Sequence, residues 1–256
     1  MKQMPPSSSE EACYPPFQQE PGRLFEFMVK PLAPFGIKGV VWYQGESDSA
    51  KPEIYGEVLT ALIRSWRDVW GETLPFYVVQ LPSFEKWMGA DGHAFPILRQ
   101  QQQKVADTVE RVFLVSTMDC GARWNIHPRH KRPVGERLGL LALKETYGWE
   151  IQAGFPPLDV ICYNDGMISL SFKQTQGQLV WKEEMEGYSA LTVTVNHVPC
   201  KDFWWEVSEN QLIVGSNTFH SGDQVDLKFA QQGYDPVNIF TSSGFSLGPF
   251  EVRITL

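Results

Sequence analysis

Residues 36–55, GIKGVVWYQGESDSAKPEIY, decide the predicted fold of the first half of the chain. The apolar run at 37–43 is rich in β-branched and aromatic residues, is too short for a helix, and stops at a Gln-Gly-Glu turn. Residues 51–70 then place apolar side chains at helical spacing, namely Ile54, Val58, Leu62, Trp66 and Val69. Asp48 and Ser49 stand just before them as candidate helix caps. The stretch predicts a strand, a polar turn and an amphipathic helix.

The same order of elements recurs twice downstream. LPFYVVQL at 74–81 is continuously apolar, as in a strand buried on both faces, and RVFLVSTM at 111–118 predicts a third strand. The segment 95–109 predicts a helix with a proline in its first turn. A third helix is predicted in 131–148, with Gly148 as its stop. Alternating strands and helices indicate an α/β layer with a parallel sheet.

The pattern changes after residue 150. The segments 166–173 and 190–198 alternate apolar and hydroxyl side chains, as half-buried strands do, and turn signals recur at short spacing. We therefore predict a second, antiparallel, β-sandwich-like domain. The predicted organisation is a disordered or extended tail at 1–22, an α/β domain at 23–150 and the β domain at 151–256.

Composition excludes several functions. The chain of 256 residues has a formal net charge of −8, and its densest basic run is HPRHKR, so no nucleic acid partner is predicted. No apolar run approaches about 18 residues, so no membrane span is predicted. The N-terminal residues lack the apolar core of a secretory signal. The four cysteines form no C-x-x-C pair, so no zinc site is indicated, and buried thiols and a single disulfide both remain open. No other metal and no cofactor is predicted.

Two predicted loops at the carboxyl edge of the sheet carry the candidate chemistry. Gln44 and Gly45 follow the first strand, and amide donors there suit a developing oxyanion; an ordinary turn is the alternative. The loop at 119–131 carries His127, which is either a general base or a loop histidine bound to backbone. Ser47 lacks the second glycine of a nucleophile elbow, so capping is favoured over attack.

Four blocks resemble one known family. They are 24–48, LFEFMVKPLAPFGIKGVVWYQGESD; 95–105, FPILRQQQQKV; 125–148, NIHPRHKRPVGERLGLLALKETYG; and 237–252, VNIFTSSGFSLGPFEV. In order and spacing they resemble the sialate O-acetylesterases of the SGNH hydrolase superfamily. The resemblance covers about residues 22 to 256, so it is far more specific than any single motif.

The resemblance implies a flavodoxin-like sheet and a serine hydrolase that removes acetyl groups from sugars, either sialic acid or a polysaccharide. His127 would be the catalytic base, and Gln44 with Gly45 would form the oxyanion site. Glu46 and Arg99 match recurrent family positions and would shape the site. For Arg99 the alternative is a surface charge on a helix.

Two departures from the family pattern bear on activity. The nucleophile block, which resembles Gly-Gln-Ser-Asn, is absent, so the hydrolase domain is expected to be N-terminally incomplete. Asn125 stands where many relatives carry Asp; it can orient the imidazole but cannot stabilise its cation, and Asp119 is a possible substitute acid. We expect weak or no catalysis, and association either with the missing segment or with another copy. The alternative is a non-catalytic glycan or partner binder that uses aromatics such as Trp181, Trp204 and Trp205.

Overall fold

The computed structural model describes residues 20–154, 157–173, 178–182, 190–235 and 237–256. The predicted tail at 1–22 lies almost entirely outside them. The first half forms, in chain order, β1 (Val40–Trp42), α1 (Tyr55–Trp70), β2 (Phe76–Val79), β3 (Lys86–Trp87), β4 (Ala90–Asp91), α2 (Phe95–Thr108), β5 (Val112–Val115) and α3 (Arg132–Glu145). The predicted strand–helix alternation is confirmed. No helix in these described ranges is long and apolar enough to cross a membrane.

The three longer strands form a parallel sheet in the order β1-β2-β5. The helices α1 and α2 cover one face, where Phe76 and Val78 are fully buried. The helix α3 covers the other face, against Tyr77 and Val115. The side chains on both faces of β2 are buried, because helices cover the sheet on both sides. This explains why the sequence of β2 is apolar without interruption.

The buried side of α1 is shifted from the predicted one, although Leu62 and Trp66 do pack against the core. Ile54 and Val58 are about half exposed, whereas Tyr55, Leu59 and Ile63 are buried. All five obey helical spacing, so the pattern alone could not choose between two adjacent faces. The packing of α1 against the sheet and α2 selects the face that begins at Tyr55.

The predicted caps of this helix are also wrong. Two short 3₁₀ turns, Glu46–Ala50 and Pro52–Ile54, come between β1 and α1. Ile54 occupies the N-cap position and makes no side-chain bond. The carboxylate of Asp48 instead accepts a hydrogen bond from the side-chain amide of Gln44, which belongs to the candidate site.

The second half is antiparallel, as predicted, with strands β6 (Leu158–Asn164), β7 (Met167–Phe172), β8 (Leu179–Trp181), β9 (Leu191–Val195), β10 (Val198–Cys200), β11 (Trp204–Ser208), β12 (Gln211–Gly215), β13 (Gln224–Phe229), β14 (Ile239–Thr241) and β15 (Phe250–Thr255). Two four-stranded sheets have the orders β10-β9-β13-β15 and β11-β12-β7-β6, and β14 pairs with β8. Their inward side chains share one core, as alternating patterns require.

The α/β part and the β part are joined by hydrogen bonds to backbone. Buried Arg99 on α2 donates to the carbonyl of Gln232, and buried Arg137 on α3 donates to the carbonyl of Gly244 at 3.0 Å. The amide of Phe84 also donates to the carbonyl of Gly233 at 2.8 Å. Two guanidinium groups, one on each face of the parallel sheet, therefore fix the β part in place.

The strand β1 lies at the edge of the parallel sheet. Val41 and Tyr77 are register partners on the α3 face, yet Val41 is 60% exposed and Tyr77 is 3% exposed. Tyr77 also makes a hydrogen bond of 2.5 Å with Thr146, just after α3. Within the described ranges, no strand pairs with the outer edge of β1 and its α3 face is exposed at Val41, an arrangement typical of strands that accept a further partner.

Candidate active site

The turn after β1 is rigidly held by buried side chains. The carbonyl of Gln44 accepts hydrogen bonds from Tyr55 Oη at 2.9 Å and from Gln102 Nε2 at 3.3 Å. Burial raises the pKa of the Tyr55 hydroxyl, so it stays a neutral donor. Gln102 is itself fixed, because its Oε1 accepts from the amide of Leu81 at 3.0 Å. Sequence reasoning missed Tyr55 and Gln102.

Gly45 is required at this turn for two reasons. Its φ of +149° lies in a region that side chains disfavour. A Cβ would also lie 3.2 Å from Leu81 Cδ1 and 3.4 Å from Gln102 Nε2. The backbone can therefore adopt this path only without a side chain. Beside it, Gln44 Nε2 donates to Asp48 Oδ2 at 2.5 Å, which leaves its second hydrogen for another acceptor.

The loop after β5 carries the candidate base. His127 is exposed, and its ring meets the ring of Trp87 edge-on, with centroids 5.1 Å apart. Asn125 Oδ1 accepts from the backbone amide of His127 at 2.9 Å, so it shapes the loop rather than bonding to the ring. None of the hydrogen bonds among the described residues reaches the imidazole, which leaves both ring nitrogens available.

The two loops meet at one edge of the sheet. Because β1 and β5 are both parallel to β2, the turn at Gln44 and the loop at His127 leave the sheet on the same side. Lys131 Nζ donates to Tyr43 Oη at 2.9 Å and lies 4.4 Å from its ring centroid, which ties the loops together. The structure thus brings the candidate base and the candidate amide donors to one exposed edge.

Asp119 does not contact His127 but forms a buried ion pair with Arg137. The two distances are 2.7 Å from Nη1 to Oδ1 and 2.8 Å from Nη2 to Oδ2. Burial opposes ionisation of the carboxyl, but the hydrogen bonds and charge of Arg137 outweigh it, so its pKa lies below the usual value. Arg137 also donates to the carbonyl of Ser116 at 3.0 Å. The ion pair therefore stabilises the start of the loop that carries His127.

Among the described residues, no hydrogen bond joins the other predicted site residues to the imidazole. Arg99 is 1% exposed, so the alternative that it is a surface charge on a helix is wrong. Burial lowers the pKa of its guanidinium to about 10, and the negative charge of Asp235 acts in the opposite direction. Glu46 begins the 3₁₀ turn after Gly45 and is partly exposed. Ser47 is exposed in the same turn and not at a strand–helix elbow.

The described cysteines carry free thiols in different surroundings. Cys120, Cys162 and Cys200 are free thiols, and Cys13 lies outside the described residues. Burial and the charge of Asp119 raise the pKa of Cys120 to about 12, so its thiol is not a nucleophile near neutral pH. Within the described ranges, no cluster of three histidine, cysteine or acidic side chains could hold a metal.

Comparison with known proteins identifies relatives of this chain. The family described as carbohydrate esterase, sialic acid-specific acetylesterase matches residues 16–142. A sialate O-acetylesterase of Homo sapiens is 33% identical over 59% of this chain and 33% of its own length. That of Rattus norvegicus is 31% identical over 59% of this chain and 32% of its own. The chain thus spans about a third of the length of these curated relatives.

A solved structure extends the match through the β part. A carbohydrate acetylesterase from Xanthomonas citri superposes with a TM-score of 0.74 and 27% sequence identity. The superposition covers 88% of this chain and 52% of the Xanthomonas citri chain. The same two-part architecture therefore occurs in a carbohydrate acetylesterase.

Proposed function

Because residues 16–142 match the sialic acid-specific acetylesterase family of carbohydrate esterases, we propose that the sheet edge of this chain removes acetyl groups from sugars. His127 would take the proton of a serine hydroxyl as that oxygen attacks the acetyl carbonyl. Gln44 Nε2 and the amide at Gly45 would stabilise the oxyanion that forms. The protonated His127 would then return its proton to the departing sugar oxygen.

The observation that carries this proposal is the contact between the turn and the histidine loop. The Lys131–Tyr43 bond of 2.9 Å brings the loop of His127 beside the residue that precedes Gln44. The turn is fixed by Tyr55, so its donors need no reorganisation during reaction. Glu46 and Asn125 shape this edge, and the substrate is an acetylated sialic acid or polysaccharide.

We further propose that these 256 residues hydrolyse acetyl esters weakly or not at all by themselves. No Gly-Gln-Ser-Asn block is present in the sequence, and Ser47 is exposed in a 3₁₀ turn. Attack would then fall to water held by His127. Serine proteases that lack a member of their triad keep only about 10³-fold acceleration over water.

The experiment is a complementation assay with 4-nitrophenyl acetate. The chain is assayed alone and with an N-terminal block from a relative whose sequence resembles Gly-Gln-Ser-Asn, fused or added in trans. We expect activity to rise by orders of magnitude only in the complemented sample, and His127→Ala to abolish the gain. His130→Ala, on the same loop, is the matched control and should keep it.

Two outcomes would contradict the proposal. The first is ordinary esterase turnover by the bare chain that disappears in Ser47→Ala, which would make Ser47 the nucleophile. The second is a complemented enzyme that keeps its rate after His127→Ala, which would remove His127 from the role of base. Neither outcome depends on the identity of the acetylated sugar.

The uncovered edge of β1 supports a proposal about partners. A further parallel strand would cover Val41, which is 60% exposed beside the buried Tyr77. The partner would be the nucleophile-bearing segment or, in its absence, a second copy of the chain. Capture of either would bring a new side chain to the carboxyl edge where His127 lies.

A second candidate function is non-catalytic glycan or partner binding by the β part. Trp181 and Trp204 are 49% and 46% exposed, and the rings of Trp181 and Trp205 meet at 5.6 Å. Exposed indole faces are suited to stacking on sugar rings. Retention of glycan binding by His127→Ala, combined with loss in Trp204→Ala, would favour this candidate.

A further inference from the structure

A buried glutamine joins the turn after β1 to the segment that follows β2. Gln102 on α2 is 0% exposed. Its Nε2 donates to the carbonyl of Gln44 at 3.3 Å and lies 3.5 Å from Tyr55 Oη. Its Oε1 accepts from the amide of Leu81 at 3.0 Å. An amide carries two N–H donors, so each of these acceptors can receive one of them. The side chain is therefore committed to holding the turn in place.

A buried tyrosine on the neighbouring helix holds the same carbonyl. Tyr55 on α1 is 3% exposed, and its Oη donates to the carbonyl of Gln44 at 2.9 Å. The same oxygen faces Gln102 Nε2, so the three groups form a chain in which the amide donates to the hydroxyl and the hydroxyl donates to the carbonyl. Hydrogen bonds in such a chain polarise and strengthen one another. The carbonyl is thus fixed toward the side of α1 and α2.

The direction of this carbonyl sets the direction of the next main-chain donor. The carbonyl of Gln44 and the N–H of Gly45 belong to one planar peptide unit, and the peptide bonds of the described residues are trans. In a trans peptide the C=O and the N–H point in opposite directions. Because the carbonyl points to Tyr55 and Gln102, the N–H of Gly45 points away from α1 and α2.

The N–H of Gly45 is a donor without a use inside the fold. Among the described residues, none of the main-chain hydrogen bonds involves it as a donor. The two bonds to the carbonyl of its peptide unit also polarise the unit, which makes this N–H a stronger donor. A donor of fixed direction and raised strength suits an oxygen that gains negative charge during a reaction.

The following inference rests on the esterase function proposed above. We propose that Tyr55 and Gln102 are positioning residues for the oxyanion site, because they hold the Gln44–Gly45 peptide with its N–H turned toward the reacting oxygen. Neither side chain touches the substrate. The donor is aligned before the acetyl group binds, so it stabilises the transition state without reorganisation. The oxyanion exists only in the transition state, and the contribution of both residues therefore falls on kcat.

The substitution Tyr55→Phe tests this inference, because it removes the hydroxyl and keeps the ring. The matched control is Tyr77→Phe. Tyr77 is also 3% exposed, and its hydroxyl makes one hydrogen bond of 2.5 Å, with Thr146 on the opposite face of the sheet. The two variants should lose similar free energy in urea unfolding, so a loss of stability alone cannot separate them. The double variant Tyr55→Phe/Gln102→Met removes both donors to the carbonyl.

The first measurement needs no catalysis. The residual dipolar coupling of the Gly45 N–H, recorded on the 15N-labelled chain, reports the direction of this bond. We expect it to change in Tyr55→Phe, to change further in the double variant and to stay as in wild type in Tyr77→Phe. An unchanged coupling in Tyr55→Phe overturns the inference, so the test holds even if the double variant fails to fold.

The second measurement is the turnover of 4-nitrophenyl acetate by the complemented chain. We expect Tyr55→Phe to lower kcat by about tenfold with little change in KM, within the roughly 10²–10³-fold loss caused by removing a whole oxyanion donor. Tyr77→Phe should keep both constants. The inference is overturned if Tyr55→Phe keeps the wild-type kcat, or if both variants lose it equally. An inactive complemented wild type would instead refute the esterase function, and the dipolar couplings would still decide whether Tyr55 positions the peptide.

Discussion

The substitution Asp119→Asn should destabilise the chain strongly, since it leaves a buried guanidinium without its counter-ion. The side chains of Arg137 and Asp119 are 6% and 13% exposed. Breaking a buried pair by removing one partner costs about 3–5 kcal/mol. Arg137 keeps its bonds to the carbonyls of Ser116 and Gly244, so we expect the lower end, about 3 kcal/mol. This corresponds to a fall in Tm of roughly 6–12 °C for a chain of this size.

The assay is urea unfolding followed by tryptophan fluorescence, with Asp68→Asn as the exposed control. The difference between wild type and Asp119→Asn should also depend on pH. The pKa of Asp119 is lowered by folding, so its contribution is present above the unfolded value of about 3.9 and is lost as pH falls through the folded pKa. The two unfolding free energies should therefore converge in acid.

Two results would refute this reasoning. A loss below about 0.5 kcal/mol at neutral pH would mean that the pair behaves as an exposed one. A stable Asp119→Asn variant whose complemented esterase loses about 10⁴-fold in kcat would instead make Asp119 the acid that supports His127, as the carboxylate does in serine proteases. The buried ion pair predicts the opposite combination, a large change in stability and a far smaller change in kcat.

Further predictions concern the turn and the sheet edge. Gly45→Ala should lower the free energy of unfolding in urea by about 1–3 kcal/mol, because the φ at this position is +149° and the added Cβ would press on Leu81. A change in that free energy below about 0.5 kcal/mol would show that the turn relaxes around the methyl group. In sedimentation velocity the wild-type chain should self-associate as its concentration rises, and Val41→Lys should reduce this association. The control is Met88→Lys, which changes an 83% exposed side chain away from the parallel sheet and should leave the association unchanged. A monomer at all concentrations would contradict the second of these predictions.

A helix or strand could be predicted where the local sequence pattern is compatible with only one structure. The strand at Phe76–Val79 is unbroken in apolar character and is buried on both faces. The face of α1 was not predictable, because Tyr55 and Val58 both satisfy helical spacing and only packing against α2 chooses between them. Long-range partners decide such cases, and sequence spacing does not contain them.

The site divides in the same way. Gln44 and His127 could be assigned to one edge, since parallel strands release their loops on a single side. The burial of Arg99 could not be foreseen, because its partner carbonyl lies 133 positions away at Gln232. Likewise, nothing in the local sequence of Asp119 indicates that its partner is Arg137 on the following helix.

The two arginines that join the halves of the chain also bear on how its sequence can diverge. Arg99 and Arg137 donate to the main-chain oxygens of Gln232 and Gly244. A residue offers its carbonyl oxygen whatever its side chain is. Substitutions at Gln232 can therefore accumulate without shifting the β part, whereas the φ of +85° at Gly244 favours glycine there. The planar, permanently charged guanidinium has no such substitute, and Lys cannot reproduce its fixed fork of donors. Among homologues we expect the two arginines and the glycine at position 244 to be retained while the residue at position 232 drifts, so the joint made by Arg99 would be inherited through only one of its sides.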